Sequence, residues 1–175
     1  VGLGVRVGLN LDLAPAVAMT DAVAARIRDW TPVLRGPVHR SVSRFFLRQF
    51  ETEGAEGGTR WAPHRPLTVR LRRRPGHGRG GIGRDTNRLW ASLVKVGPES
   101  VLVTGPTEYE RGTTVAHAAP FHAGVSPGRQ RVFGRAPLVP LGIPARTLVP
   151  DPFPRTYVDG WAAALARYIE TGVAE

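Results

Sequence analysis

Pro37-Val38-His39-Arg40-Ser41-Val42-Ser43-Arg44-Phe45-Phe46-Leu47-Arg48-Gln49-Phe50-Glu51-Thr52-Glu53-Gly54 is the stretch from which the fold class follows. Val38, Val42, Phe45, Phe46, Gln49 and Phe50 recur at spacings of three and four, so a helix collects them on one side. Proline suits the first helical position, because the amide it lacks would have no partner there, and Gly54 suits the exit. Arg40, Arg44 and Arg48 share the opposite face, read as solvated or as a subunit contact.

A second pattern has a different period. Leu3, Val5, Val7, Leu9, Leu11 and Leu13 alternate with small or polar residues, which predicts a strand with one apolar face over residues 1–13. Such a strand needs a partner, in its own sheet or in an adjacent subunit. One long amphipathic helix and one alternating strand together predict an α+β fold. Its form would be an antiparallel sheet packed against two longer helices, with long irregular loops. The second long helix is expected near the end, where Tyr157, Trp161, Ala164, Leu165, Tyr168 and Ile169 share a face. Thr156 and Asp159 make a capping-box-like start, and Gly172 a closing residue.

Between these elements the signals are weaker. Thr20 reads as an N-cap for a short helix from Asp21 to Asp29. Leu89 to Val96 and Val101 to Val103, separated by Gly97 and Pro98, read as a two-stranded hairpin with helical character around Asn87 to Leu93. Residues 70–84 and 106–142 read as extended loops, the second with one strand near Arg131 to Phe133. The chain carries 21 glycines and 16 prolines, about a fifth of its length where about an eighth is usual.

A chain of 175 residues can bury one core unaided, so residues 1–175 are expected to form a single domain. Phe46, Phe50, Trp61, Trp90 and Trp161 are its expected aromatic anchors, with Leu89, Leu93 and Leu165 beside them. No cysteine is present, which excludes disulfides, thiol nucleophiles and thiolate zinc sites. His39, His64, His77, His117 and His122 lack the spacing of a helical metal site, and the glycines of 76–83 lack the order of a phosphate-binding loop. No catalytic, cofactor or metal site is therefore expected. No apolar run approaches the roughly 18 residues of a membrane span, so the chain reads as soluble and without a membrane partner. It opens on Val1 rather than methionine, which leaves open a non-standard start codon or an upstream processed segment.

The net charge is +10, and Lys95 is the only lysine. Eight arginines and no acid lie between Gly57 and Arg84. That balance suits a polyanion or an acidic protein ring, although an arginine-rich coding bias gives the same composition. Arg70, Arg72, Arg73 and Arg74 are the candidate interface residues of this tract. Arg146 joins them, either as a buried pair with a carboxylate or as a subunit contact.

An ordered series of short motifs resembles the phage virion morphogenesis family, which includes the tail completion proteins of Mu-like phages. Gly58-Thr59-Arg60-Trp61-Ala62-Pro63 is similar to the family's Gly-x-x-Trp-x-Pro turn. Asp85-Thr86-Asn87-Arg88-Leu89-Trp90-Ala91-Ser92-Leu93 is similar to its Asp-Thr-Gly-Arg-Leu segment, with Asn87 standing where the family has glycine. Asparagine tolerates the same left-handed backbone. His117 to Gly124 stands at the family's Tyr-Ala-x-x-His-x-x-Gly, with Phe121 at the histidine position and His122 one residue late. Ile143-Pro144-Ala145-Arg146-Thr147-Leu148 is similar to the Ile-Pro-Ala-Arg segment ahead of the last helix. The resemblance covers residues 37–170 and leaves the alternating strand outside.

The resemblance implies a non-enzymatic structural component of a head-tail junction in the virion, made in the bacterial host cytoplasm. It implies a homo-oligomeric, hexameric ring between connector or neck proteins and the tail tube protein, with DNA only passing the lumen. A tail terminator capping the tube, or a basic nucleic-acid-binding protein, is the alternative.

Overall fold

The computed structural model describes residues 14–72, 81–130 and 139–175. The alternating segment 1–13, Arg73, Arg74 and the strand expected at Arg131 to Phe133 lie outside them. The fold is α+β. In chain order it runs α1 (Ala14–Arg28), α2 (Thr31–Val33), α3 (His39–Glu51), α4 (Pro66–Arg72), α5 (Arg88–Val94), β1 (Ser100–Thr104), β2 (Tyr109–Thr113), α6 (Ala118–Ala123), β3 (Val125–Gln130), β4 (Val139–Ile143) and α7 (Arg155–Thr171).

The helix expected from Pro37 is present. Gly36 breaks the preceding turn at φ −89° and ψ −105°, Pro37 restarts it through a wide turn over Leu34–Val38, and α3 follows. Val42, Phe45, Phe46, Gln49 and Phe50 are buried, while Arg40, Arg44 and Arg48 face outward. Phe45 is fully buried, meeting Phe153 at 4.5 Å and Tyr157 at 5.3 Å between ring centres. Complete burial of one such side chain contributes about 1.5–3 kcal/mol before the entropy of ordering it.

Around α3 the core closes with Trp61, Ile82, Leu89, Leu93, Val115 and Leu148. Trp90 and Trp161, expected as core anchors, and Leu165, expected to be mostly buried, pack against this core and stay partly exposed. The reason for Trp161 and Leu165 is that α7 covers the domain from outside and buries no residue completely. Trp161 still donates its indole N–H to Ser41 Oγ at 3.0 Å. Arg84 and Lys95 both approach the Trp90 ring, 5.1 and 5.2 Å from its centre.

Among the described residues the strands form two separate antiparallel pairs rather than one sheet, β1 with β2 and β3 with β4. The hairpin falls one step later than expected: Leu89 to Val94 is helical α5, and β1 turns back onto β2, both packed on α5. Neither expected loop is wholly irregular. Residues 106–142 hold β2, α6, β3 and the start of β4, and α4 opens the 70–84 tract.

The first helix also differs. It is helical already at Ala14, so Thr20 lies inside it and turns its hydroxyl back to Ala16 O at 2.9 Å instead of capping a start. α1 buries no residue and exposes Val17, Met19 and Ile27. Arg26 fastens it to α7, donating from Nη1 to Ile169 O at 3.0 Å and Glu170 O at 3.1 Å. Those carbonyls end α7, where the helix dipole favours a cation. Gly172 closes α7 in the left-handed conformation, as expected, but Pro154 stands at the N-cap, so Thr156 and Asp159 start no capping box.

Candidate functional site

Four segments distant in sequence meet beside the C-terminal end of α3. Gln49 is almost fully buried, and its side-chain amide has two partners. Nε2 donates to Thr147 O at 2.8 Å, and Oε1 accepts from the Gly57 amide at 2.7 Å. Trp61 Nε1 donates to the same Thr147 carbonyl at 2.9 Å, while its ring stands edge-on to Phe50 and Phe121. A carbonyl has two lone pairs, so one backbone oxygen can receive both donors.

The segment 143–148 is laced to 117–124 as well. The Arg146 amide donates to Phe121 O at 3.0 Å and His122 O at 3.2 Å, and the Leu148 amide donates to His122 Nδ1 at 3.0 Å. An accepting Nδ1 places the proton of neutral His122 on Nε2. Gly124 turns between the two segments at φ 75°, where an added Cβ would lie 2.7 Å from Ala145 N. Asn87 adopts φ 57° ahead of α5, the left-handed conformation for which glycine or asparagine is suited. Within α5, Ser92 is buried, donating to Leu89 O at 2.9 Å and sharing a hydrogen bond with Thr113 Oγ1 at 2.7 Å.

Beside this node opens a cavity of about 600 Å³. Arg65, Arg72, Arg88 and Arg146 line it. His64 and Asp85 lie between them, and Phe121, Ile143 and Pro144 supply apolar wall. Asp85 is the first acid after the arginine tract, and its carboxylate accepts from Arg72 Nε at 3.2 Å. Arg72 Nη1 lies 2.6 Å from His64 Nε2. A guanidinium only donates, so His64 accepts through Nε2 and carries its proton on Nδ1. Burial holds the His64 pKa below its ordinary value, and the charges of Arg72 and Arg146 act in the same direction.

The expected interface residues therefore separate. Arg70 is exposed on α4, and Arg72 turns inward to Asp85 and His64. Arg146 is 6% exposed, donating from Nε to Ala62 O at 3.1 Å, with its guanidinium carbon 5.4 Å from the centre of the Phe121 ring. No described carboxylate pairs with it. Burial lowers its pKa, and Glu53 partly restores it. Among the described residues Arg146 thus has no carboxylate in ion-pair contact, which departs from one of its two expected readings; the other, a subunit contact, concerns a second chain.

His64, Arg65 and Arg88 were not expected at a common site, because no spacing links them. Among the described residues no three His, Asp or Glu side chains gather as metal ligands, and no helix is long and apolar enough to cross a membrane. Comparison of the chain with protein-family models, with curated proteins and with solved structures finds no match.

Proposed function

We propose that the chain is a non-enzymatic structural component of a tailed-phage head-tail junction, a tail completion protein that assembles as a ring between connector and tail tube. The observation that supports this reading is the meeting of the motif segments. Gly58 to Pro63, His117 to Gly124 and Ile143 to Leu148 resemble the same family in the same order, and they join through Trp61, Arg146 and Thr147. Motifs brought together by a fold have a shared reason to occur together, which motifs scattered over a surface would lack. Their polar atoms are engaged largely with backbone groups, the work of a scaffold. The exposed stripe of Arg40, Arg44 and Arg48 and the exposed Arg70 give such a scaffold a basic outer surface suited to acidic neighbours.

Light scattering after size exclusion, at low and high salt, tests the reading. A ring of defined mass that persists in both, seen as an annulus by negative-stain microscopy, is the expected result. A monomer at all concentrations, with sub-micromolar DNA affinity at physiological salt, would replace it with the nucleic-acid-binding reading.

A further inference from the structure

The cavity holds a cation whose bonding is incomplete. Arg146 is nine-tenths buried and lines the cavity, yet Nε alone makes a side-chain hydrogen bond, to Ala62 O. Among the described residues, neither Nη group meets an acceptor, and no carboxylate comes within ion-pair distance. Phe121 covers part of the guanidinium face, which stabilises the charge only modestly. The guanidinium stays charged, Glu53 offsets its burial only in part, and the two Nη groups are not sealed from solvent, so they are open to a ligand entering the cavity. With Nε taken, the edge bearing the two Nη groups is the one suited to receive two oxygens of a planar anion.

We propose that this cavity receives the carboxylate of a Glu or Asp side chain, carried on an apolar peptide segment of a protein partner, with Arg146 as the anchoring cation. The surroundings favour this anion over a nucleic-acid backbone. A phosphodiester chain is bound along open basic surface, with many contacts and a steep salt dependence. Here the arginines stand around a recess walled by Phe121, Ile143 and Pro144 and containing an acid, Asp85. Apolar walls suit the neighbours of a single acidic side chain, and Asp85 opposes the entry of a polyanion. At about 600 Å³ the cavity has room for that side chain and parts of the residues beside it. Arg88 is held by Glu99, and Arg72 by Asp85 and His64, so these two contribute field, while Arg146 contributes the open hydrogen-bonding edge. The proposal goes beyond the junction reading and does not depend on it.

The test uses the full chain labelled with ¹⁵N. It is titrated with a capped Val-Glu-Leu-Val peptide, the same peptide with Gln for Glu, inorganic phosphate, and a single-stranded DNA oligonucleotide. The Glu peptide should shift the Arg146 Nε–H resonance saturably and bind about tenfold more tightly than the Gln peptide, a difference of 1.4 kcal/mol. Arg146→Lys keeps the charge but removes the fork and should weaken the Glu peptide about tenfold. A thermal melt establishes that this variant is folded. If it is not, the comparison of the two peptides on the unaltered chain decides. Equal response to both peptides, no saturable shift into the millimolar range, or tighter binding of phosphate or DNA at Arg146 would each overturn the proposal.

Discussion

Trp61 Nε1 and Gln49 Nε2 donate to one oxygen, the carbonyl of Thr147, across 86 and 98 positions of sequence. Two side chains from different elements thus hold the same strip of backbone, and their contributions should be coupled. Trp61→Phe keeps most of the ring packing and should cost about 1 kcal/mol through the lost hydrogen bond. Gln49→Met also removes the acceptor for the Gly57 amide and should cost about 1–3 kcal/mol. In the double variant Thr147 O loses both donors, so the total should exceed the sum by at least about 0.5 kcal/mol. Urea unfolding of the four proteins measures this. Strict additivity would show that the shared carbonyl does not couple them.

Two glycines should respond oppositely to alanine. Gly124 has φ 75°, and an added Cβ would meet Ala145 N at 2.7 Å and Ile143 O at 2.9 Å, both backbone atoms. Gly124→Ala should destabilise by about 1–3 kcal/mol. Gly160 lies within α7 with nothing near its missing Cβ, so Gly160→Ala should stabilise by about 0.5–1 kcal/mol. Thermal melts should move in opposite directions, and matching shifts would contradict the geometry.

Acid should weaken the fold through two partly buried histidines. His64 and His39 both have pKa values lowered from 6.5, chiefly by burial, with Arg72 and Arg146 near the first and Arg111 near the second. The unfolded chain therefore takes up these protons first. The stability present above pH 6.5 is lost as the pH falls through the folded-state values. His64→Gln can still accept from Arg72 without titrating, and it should flatten the part of the slope belonging to that site. An unchanged slope in denaturation between pH 7 and 5 would remove His64 from the account.

The arginines of the basic tract should not behave as a group. Arg70→Ser removes an exposed charge and should change stability by less than about 0.5 kcal/mol. Arg72→Ser leaves Asp85 and His64 without that guanidinium and should cost more, on the order of 1–3 kcal/mol. Equal effects in chemical denaturation would mean that the inward contacts of Arg72 contribute nothing.

The contrast between α3 and the cavity indicates what was legible in the sequence. α3 reads directly because burial imposes its period on consecutive residues, and Gly172 reads because a helix exit requires a left-handed residue. Asn87 was readable as a left-handed substitute for glycine on the same ground. α4, β2, β3 and β4 were hidden: they are short and lie among prolines and glycines, where pairing depends on partners far along the chain. The cavity was hidden more deeply. His64, Asp85, Phe121 and Arg146 come from four segments, and Arg146 binds a backbone oxygen, which every residue type possesses. Composition carries no trace of such a partner.

α1 has a further consequence, one of local stability within the folded chain. At 15 residues it is near the lower limit for an isolated helix in water, and it buries no side chain completely against the domain. Among the described residues, the side-chain hydrogen bonds that tie it to the rest of the domain come from Arg26, to the end of α7. Releasing that guanidinium would allow α1 to unwind while α3 and its aromatic cluster stay closed. Amide exchange and limited proteolysis should therefore reach Ala16 to Ala24 through a shallow opening, far below the free energy needed to expose Phe45.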